Sequence, residues 1–357
     1  MSPYPVRAGI LGCGMVATEY ATTLAASSSV DLTACADLDH ERAQHLADQY
    51  DISAVPVEDL LTPETIDLVL ILTPPRTHAD LAHQAITAGL RAVWIEKPLT
   101  TDPQEATALT ARAEHAGVLL GAAPDTLLGP ALQTAAAALR DGLIGDVRSA
   151  TATLLSTGPE RWHPAPQPFY AEHAGPLGDM GPYYLTALDY LFGPLRVRAA
   201  AVRTRTDRRI RSGPRAGEGF TAHSPTYVAA LLETDDKIPV TLTASFDAAA
   251  TQTPHLEIHG TEGTLVLPDP NFHNGEVLHR PYGARTAEVL PHPATTAAAG
   301  RGMGSLDLAE ALRDGRAPRC SPQRAGRTVH LMAAIVRAGT APPLTAQSPS
   351  HSITPAI

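Results

Sequence analysis

The chain has 357 residues, with 37 Asp+Glu against 27 Lys+Arg, a formal charge of −10, 44% hydrophobic residues and 18% charged residues. At roughly 150 residues per domain the length suggests two globular domains, and the composition excludes a mostly disordered chain. The acidic balance argues against a nucleic-acid or anionic-membrane surface, and no apolar run approaches the roughly 18 residues that a transmembrane helix needs.

The first residues, MSPYPVRAGILGCG, lack the basic start, apolar stretch and cleavage site of a secretory leader. Residues 6–11 read as a strand, 14–27 as a helix, 32–36 as a strand and 39–50 as a helix. A third strand at 68–72 is followed by a helix over 78–88, with Thr77 as its cap and Gly89 at its end. Then come a strand at 92–95, a helix at 103–116 and a fifth strand at 118–121. Strands alternating with helices imply a parallel sheet wound on both faces, here an N-terminal domain over residues 1–122.

The pattern then changes. A helix at 130–141 and a strand at 147–155 precede a polar, Pro-rich loop over 157–176. In 180–192 the positions of Tyr184, Leu185, Leu188, Leu191 and Phe192 suit one helix face. Strand-like runs at 227–233, 239–246, 256–258 and 264–267 are joined by short connections, which predicts an antiparallel sheet. A last helix is expected over 323–338, where it can pack back on the first domain. The fold class is therefore α/β, with a second α+β domain over 123–339 and a disordered tail over 340–357. The basic run 203–219 reads as a solvated surface loop, with contact to an acidic ligand or a neighbouring subunit as the alternative. Cys13, Cys35 and Cys320 share no CxxC spacing, which predicts a reduced, cytoplasmic protein without disulfides. The 15 histidines form no HExxH pattern, so no metal site is expected.

Gly12-Cys13-Gly14-Met15-Val16-Ala17 fits G-x-G-x-x-G/A between a strand and a helix, the context in which this short motif has meaning. Gly12 permits the tight turn, Gly14 lets the backbone approach a pyrophosphate, and Ala17 keeps helix and strand close. Met15 lies within the same cradle. Asp37 follows Ala17 by 20 residues at the end of the second strand. A carboxylate there accepts from the adenosine ribose hydroxyls and repels a 2′-phosphate, and Leu38 beside it is not the Arg that would hold one. The expected cofactor is NAD rather than NADP. Thr73 and Pro74, at the end of the third strand, can wall the nicotinamide ribose, and His78 is a further candidate cofactor contact. Glu96-Lys97-Pro98 ends the fourth strand, which aims Lys97 at the crevice. A lysine there can bond a substrate hydroxyl and help take its proton, with a pKa lowered by desolvation or by a neighbouring cation. Glu96 reads as hydrogen-bonding support on the cofactor side.

These motifs together resemble the family of glucose–fructose oxidoreductase, inositol dehydrogenase and rhizopine catabolism proteins. The likeness extends through Gly178-Asp179-Met180-Gly181-Pro182-Tyr183, Gly260-Thr261-Glu262-Gly263 and residues 301–316, and so covers about 6–338. The resemblance implies a Rossmann domain and a C-terminal domain with a large, open, mainly antiparallel sheet. It implies hydride transfer between NAD and a secondary alcohol or ketone of a sugar, cyclitol or glycoside. It also implies a homodimer or homotetramer formed through the exposed sheet face. Two other activities occur in the family: transient oxidation by tightly bound NAD, and a non-catalytic NAD-binding regulator. By resemblance Lys97 is the catalytic lysine, and Asp179 with Tyr183 forms the second catalytic element. If a helix starts at Asp179, the two share a face. Asp179 would then cap the helix and orient substrate, and Tyr183 would exchange its proton, with Lys97 favouring the phenolate. The family's Asn and Arg before the first helix of the second domain are replaced here by Asp125 and Leu127. Asp125 thus takes the place of a substrate contact. Arg161, Trp162 and His163 sit in a loop that supplies sugar contacts in the family, and Trp162 can stack on a sugar ring.

Overall fold

Val6–Leu11 (β1) is an almost wholly buried apolar run, as a strand covered by helices on both faces requires. It is central to a six-stranded parallel sheet. The protein is described here by a computed structural model that covers residues 5–292 and 300–341. The expected tail, from 342 onward, lies outside the described residues. On one side β1 pairs with Val30–Ala36 (β2), which pairs with Ser53–Ala54 (β3). On the other side follow Leu68–Ile71 (β4), Ala92–Ile95 (β5) and Leu119–Ala122 (β6). The crossovers carry helices Ala17–Ala25 (α1), His40–Tyr50 (α2), Val57–Leu60 (α3), His78–Thr87 (α4) and Pro103–Ala116 (α5). The strand order reverses beside β1, which opens a crevice beyond the carboxyl ends of β1 and β4, where such sheets bind ligands.

Local chemistry accounts for the departures from expectation. The first helix begins at Ala17 because residues 14–16 are used by the glycine turn. Thr77 does not cap α4. A single 3-10 turn, Pro75–Thr77, leads into the helix, and the Thr77 hydroxyl turns back to the Pro74 carbonyl at 2.8 Å. The two-residue β3 is too short to carry a pattern.

The second sheet has eight strands. In chain order its parts are Pro130–Arg140 (α6), Val147–Leu155 (β7), Gly175–Asp179 (α7), Gly181–Phe192 (α8) and Leu195–Arg203 (β8). Asp207–Arg209 (β9) and Gly219–Thr221 (β10) form a separate antiparallel pair. Then follow Tyr227–Thr234 (β11), Pro239–Ser245 (β12), Leu256–Gly260 (β13), Gly263–Leu267 (β14), Leu278–Pro281 (β15) and Glu288–Val289 (β16). The strand order is β16-β15-β14-β13-β7-β12-β11-β8, and every pairing in this sheet is antiparallel except β7 with β12. Met303–Asp314 (α9) returns to pack on β5 and β6 of the first sheet. That approach is close: a Cβ on Gly121 would meet Trp94 at 2.9 Å and Leu308 at 3.1 Å. Pro322–Thr340 (α10) packs on β8 and on α5, and bonds the latter through His330 Nε2 to Thr107 Oγ1 at 2.9 Å. The basic run is not only a solvated loop. It contains β9, whose Arg208 is buried.

Candidate active site

The cofactor loop is held by its ends. Gly12 adopts φ +98°, and a Cβ there would meet Leu72 and Thr73 at 2.9 Å. Only glycine fits that turn without strain. The Cys13 N–H donates to Asp37 Oδ2 at 2.7 Å, so the acid at the end of β2 also staples the loop. A Cβ on Gly14 would meet nothing within 4 Å. Among the described residues nothing accepts from the N–H groups of Gly14, Met15 or Val16, and Val16 makes no side-chain cap for α1. Three backbone donors at an uncapped helix start, beside an open cradle, suit a pyrophosphate. Met15 and Leu38 are exposed at the two sides of this cradle, and Ala17 is buried beneath it.

The crevice wall is braced from below. Thr73 Oγ1 bonds Thr77 Oγ1 at 2.7 Å. The His78 ring lies between the carbonyls of Thr73 and Pro98, 2.8 Å from each. It is fully buried, so it ties the Thr73-Pro74 turn to the Lys97-Pro98 turn instead of offering a surface to the cofactor. Burial outweighs the two carbonyls and lowers its pKa.

Glu96 is also buried and points back into the fold. Its Oε1 accepts from Tyr20 at 2.8 Å and its Oε2 from the Lys97 N–H at 2.7 Å. That fixes the backbone from which Lys97 projects. Lys97 Nζ donates to the Asp179 carbonyl and to Asp179 Oδ1, both at 2.9 Å, with side chains 18% and 21% exposed. Its ammonium also lies 5.3 Å from the Tyr183 ring centroid. A partly open lysine, a carboxylate and a phenol thus meet at the carboxyl edge of β5.

Residues 6–123 match the family model described as "Oxidoreductase family, NAD-binding Rossmann fold", and residues 132–266 match "GFO/IDH/MocA C-terminal domain". The dTDP-3,4-didehydro-2,6-dideoxy-alpha-D-glucose 3-reductase of Streptomyces violaceoruber is 30% identical over 326 residues, which cover 86% of this chain and 92% of that one. The inositol 2-dehydrogenase of Rhizobium meliloti (strain 1021) is 27% identical over 263 residues, 73% of this chain and 74% of that one. The crystal structure of a 3-ketoreductase from Actinomadura kijaniata, in complex with TDP-benzene and NADP, is similar with a TM-score of 0.73. It is 26% identical and the likeness covers 94% of this chain and 98% of that one. The chain belongs to the GFO/IDH/MocA oxidoreductase family.

As a member of that family the protein is an oxidoreductase with an NAD-binding Rossmann fold. Its lysine does not titrate as expected. Burial disfavours the Lys97 charge, but Asp179, with Tyr183 and Glu96, outweighs it and holds the ammonium above the ordinary lysine value. Nor is Tyr183 a phenolate. Burial pushes its phenol up to about 12, against the opposing pull of Lys97 and Arg301. The side chain is therefore protonated at neutral pH.

Asp179 does not open the helix. It is the last residue of α7, and Met180 stands at the start of α8 without a side-chain cap. The short break keeps Asp179 on Lys97, while Pro182 and Tyr183 occupy the first turn of α8. Asp125 is not a substrate contact either. It is buried, its Oδ2 accepts from the N–H groups of Gly302 and Gly304 at 2.8 and 3.1 Å, and His273 Nε2 lies 3.2 Å from its Oδ1. Trp162 packs edge-on against His163 and Phe169 and is 59% exposed. No hydrogen bond or ion pair among the described residues joins Arg161, Trp162 or His163 to Lys97, Asp179 or Tyr183.

Arg301 also belongs to the cluster, although its sequence context does not mark it as a site residue. Arg301 donates to the Tyr183 hydroxyl and to Asn271 Oδ1, each at 2.9 Å, and its Nε lies 3.4 Å from Glu19. The partner tyrosine lies 118 positions away in the chain, and no local motif marks the pairing. Two signals mark the region in the sequence, the resemblance over 301–316 and the glycines at 300, 302 and 304.

Proposed function

We propose that the protein is an NAD-linked dehydrogenase or reductase in which Lys97, Asp179 and Tyr183 hold the reacting hydroxyl or carbonyl of a sugar or cyclitol. The observation that carries this reading is the Lys97–Asp179 pair at the carboxyl edge of β5, with the Tyr183 ring beside it. The glycine loop and the end of β2 would hold the dinucleotide, which when bound supplies or accepts hydride at its nicotinamide. Lys97 Nζ, a strong donor, bonds the substrate oxygen and stabilises negative charge on it. Asp179 orients the ammonium. Tyr183, protonated at rest, gives its proton to that oxygen during reduction and recovers it during oxidation. Arg301 stabilises the transient phenolate. His78 and Glu96 hold the two turns in place and touch no reacting atom.

NAD is favoured over NADP because the Asp37 carboxylate stands at the ribose end of the cradle and the exposed Leu38 brings no cation. A cytoplasmic location fits the three free cysteines. Assembly as a homodimer or homotetramer fits the outer face of the second sheet, where Tyr227 and Leu231 are exposed.

The test is absorbance at the NADH band with a panel of sugars and cyclitols. Lys97→Ala is expected to lower turnover by roughly 10²–10⁴-fold with cofactor affinity kept. A loss of only a few-fold would reject the role of Lys97. Asp37→Ala is expected to weaken NAD and narrow its advantage over NADP, and an unchanged preference would reject the ribose assignment.

A further inference from the structure

Tyr20 belongs to α1, the helix whose uncapped start faces the open cradle. Its ring is fully buried against Trp94 of β5, with ring centroids 6.4 Å apart. Its hydroxyl donates to Glu96 Oε1 at 2.8 Å and accepts from Trp94 Nε1 at 3.1 Å. Burial, with the Glu96 and Asp125 charges beside it, pushes the phenol well above its ordinary value, so the group stays a donor. Glu96 Oε2 in turn takes the Lys97 N–H at 2.7 Å. A run of two short bonds thus joins the helix of the cofactor cradle to the backbone of Lys97.

Glu96 depends on this arrangement. It is buried, and among the described residues it makes no ion pair and no hydrogen bond beyond these two. A buried carboxylate oxygen left without a donor is costly, so Oε1 deprived of Tyr20 must find another. Two cations are within its influence: the Glu96 charge favours the protonated forms of both Lys97 and Arg301. A carboxylate turning toward either would leave the Lys97 N–H. It would also compete with Asp179 for the ammonium, or with Tyr183 for the guanidinium.

We infer that Tyr20 is a positioning residue for Lys97: its hydroxyl holds Glu96 inward, which fixes the lysine turn and leaves the ammonium to Asp179. The effect on turnover rests on the oxidoreductase reading given above. The effect on the ammonium is read without substrate.

Lys97 and Lys237 are the only lysines of the chain, so protein labelled with [ζ-15N]lysine gives two ammonium signals. Lys237 is 68% exposed and bonds Glu233, whereas Lys97 is 18% exposed and bonds Asp179 twice. The Lys97 ammonium is expected to exchange protons with water at least about 10-fold more slowly than that of Lys237. Tyr20→Phe keeps the ring and is expected to lower this protection about 10-fold. Glu96→Ala should show the same fall, and adding Tyr20→Phe to it should bring no further loss. Trp94→Phe removes the other bond to the same hydroxyl and disturbs the same core, but leaves Tyr20 on Glu96. Its Lys97 protection is expected to stay within about 2-fold of wild type. Unchanged protection in Tyr20→Phe or Glu96→Ala, an equal fall in Trp94→Phe, or an additive loss in the double variant would overturn the inference.

With NAD and the sugar and cyclitol panel, kcat of Tyr20→Phe is expected to fall about 10-fold while KM for NAD is kept. Full turnover in Tyr20→Phe would overturn the inference and leave the oxidoreductase reading standing. The expected lysine result in a wild type that oxidises nothing in the panel supports the positioning role and counts against that reading.

Discussion

The dinucleotide cradle and the catalytic cluster are built in opposite ways. The cradle is local: residues 12–17 and one acid at the next strand end make it, and the strand–turn–helix around them fixes its shape. The cluster is assembled from remote pieces, with Lys97 from the end of β5, Asp179 and Tyr183 from the α7–α8 break, and Arg301 from the turn before α9. A local site can be read as a motif, whereas a remote one depends on how the segments are pinned. Here the pin for Arg301 is Asp125. Its carboxylate takes the N–H groups of Gly302 and Gly304, and Thr23 Oγ1 donates to the Arg301 carbonyl at 2.6 Å.

Removing that pin is the largest way to separate the two sites. Asp125→Ala leaves the buried N–H groups of Gly302 and Gly304 without an acceptor, a change that costs about 1–3 kcal/mol for each group. Urea unfolding should show that loss, and activity should fall in the surviving fraction while dinucleotide binding persists. An equal loss of both functions would break the contrast. Burial pushes the Asp125 carboxyl up, but His273 and the two glycine N–H groups prevail and hold it below the ordinary value. Its folded pKa is thus depressed relative to the unfolded one. The stability it contributes is present above the unfolded value, about 3.9, and is lost as pH falls through the lower folded value. The Asp125→Ala variant should lack that acid-side decline.

A smaller effect is expected at Arg301. Arg301→Met keeps much of the side-chain bulk and removes a charge-assisted bond to Tyr183, worth about 1.5–3 kcal/mol. Turnover should drop roughly 10–100-fold. The direction of the pH change is more telling. Burial raises the Tyr183 phenol, and Lys97 and Arg301 pull against it. Without Arg301 the phenol titrates higher, so the alkaline rise of kcat/KM for alcohol oxidation should move to higher pH. A lower turnover with an unmoved profile would reduce Arg301 to a packing residue.

The parallel sheet, the glycine loop and the lysine turn were legible because each rests on a few adjacent residues. β8 escaped notice because its Leu-Arg-Val-Arg start mixes charge with the strand alternation, and α9 because Gly300, Gly302 and Gly304 mask its beginning. Asp125 and His78 look like ligand contacts by position in the chain. Only the packed structure shows both turned inward, where they satisfy backbone groups. Burial also decided the titration. In sequence Lys97 and Tyr183 suggest a lowered lysine and a phenolate, but Asp179 holds the first charge and desolvation keeps the second neutral.

The finest test sets two glycines of the cradle against each other. A methyl on Gly12 would meet Leu72 and Thr73 in a backbone at φ +98°. Gly12→Ala should therefore cost about 1–3 kcal/mol of stability, the usual range for such strain, measured by urea unfolding. A methyl on Gly14 would meet no protein atom within 4 Å, so Gly14→Ala should change stability by no more than about 0.5 kcal/mol. It should still weaken NAD, because the added Cβ occupies the space through which the backbone approaches the pyrophosphate. If Gly14→Ala binds NAD as the wild type does, that open space is not the cofactor's, and the contrast between a local cradle and a remote cluster loses its first half.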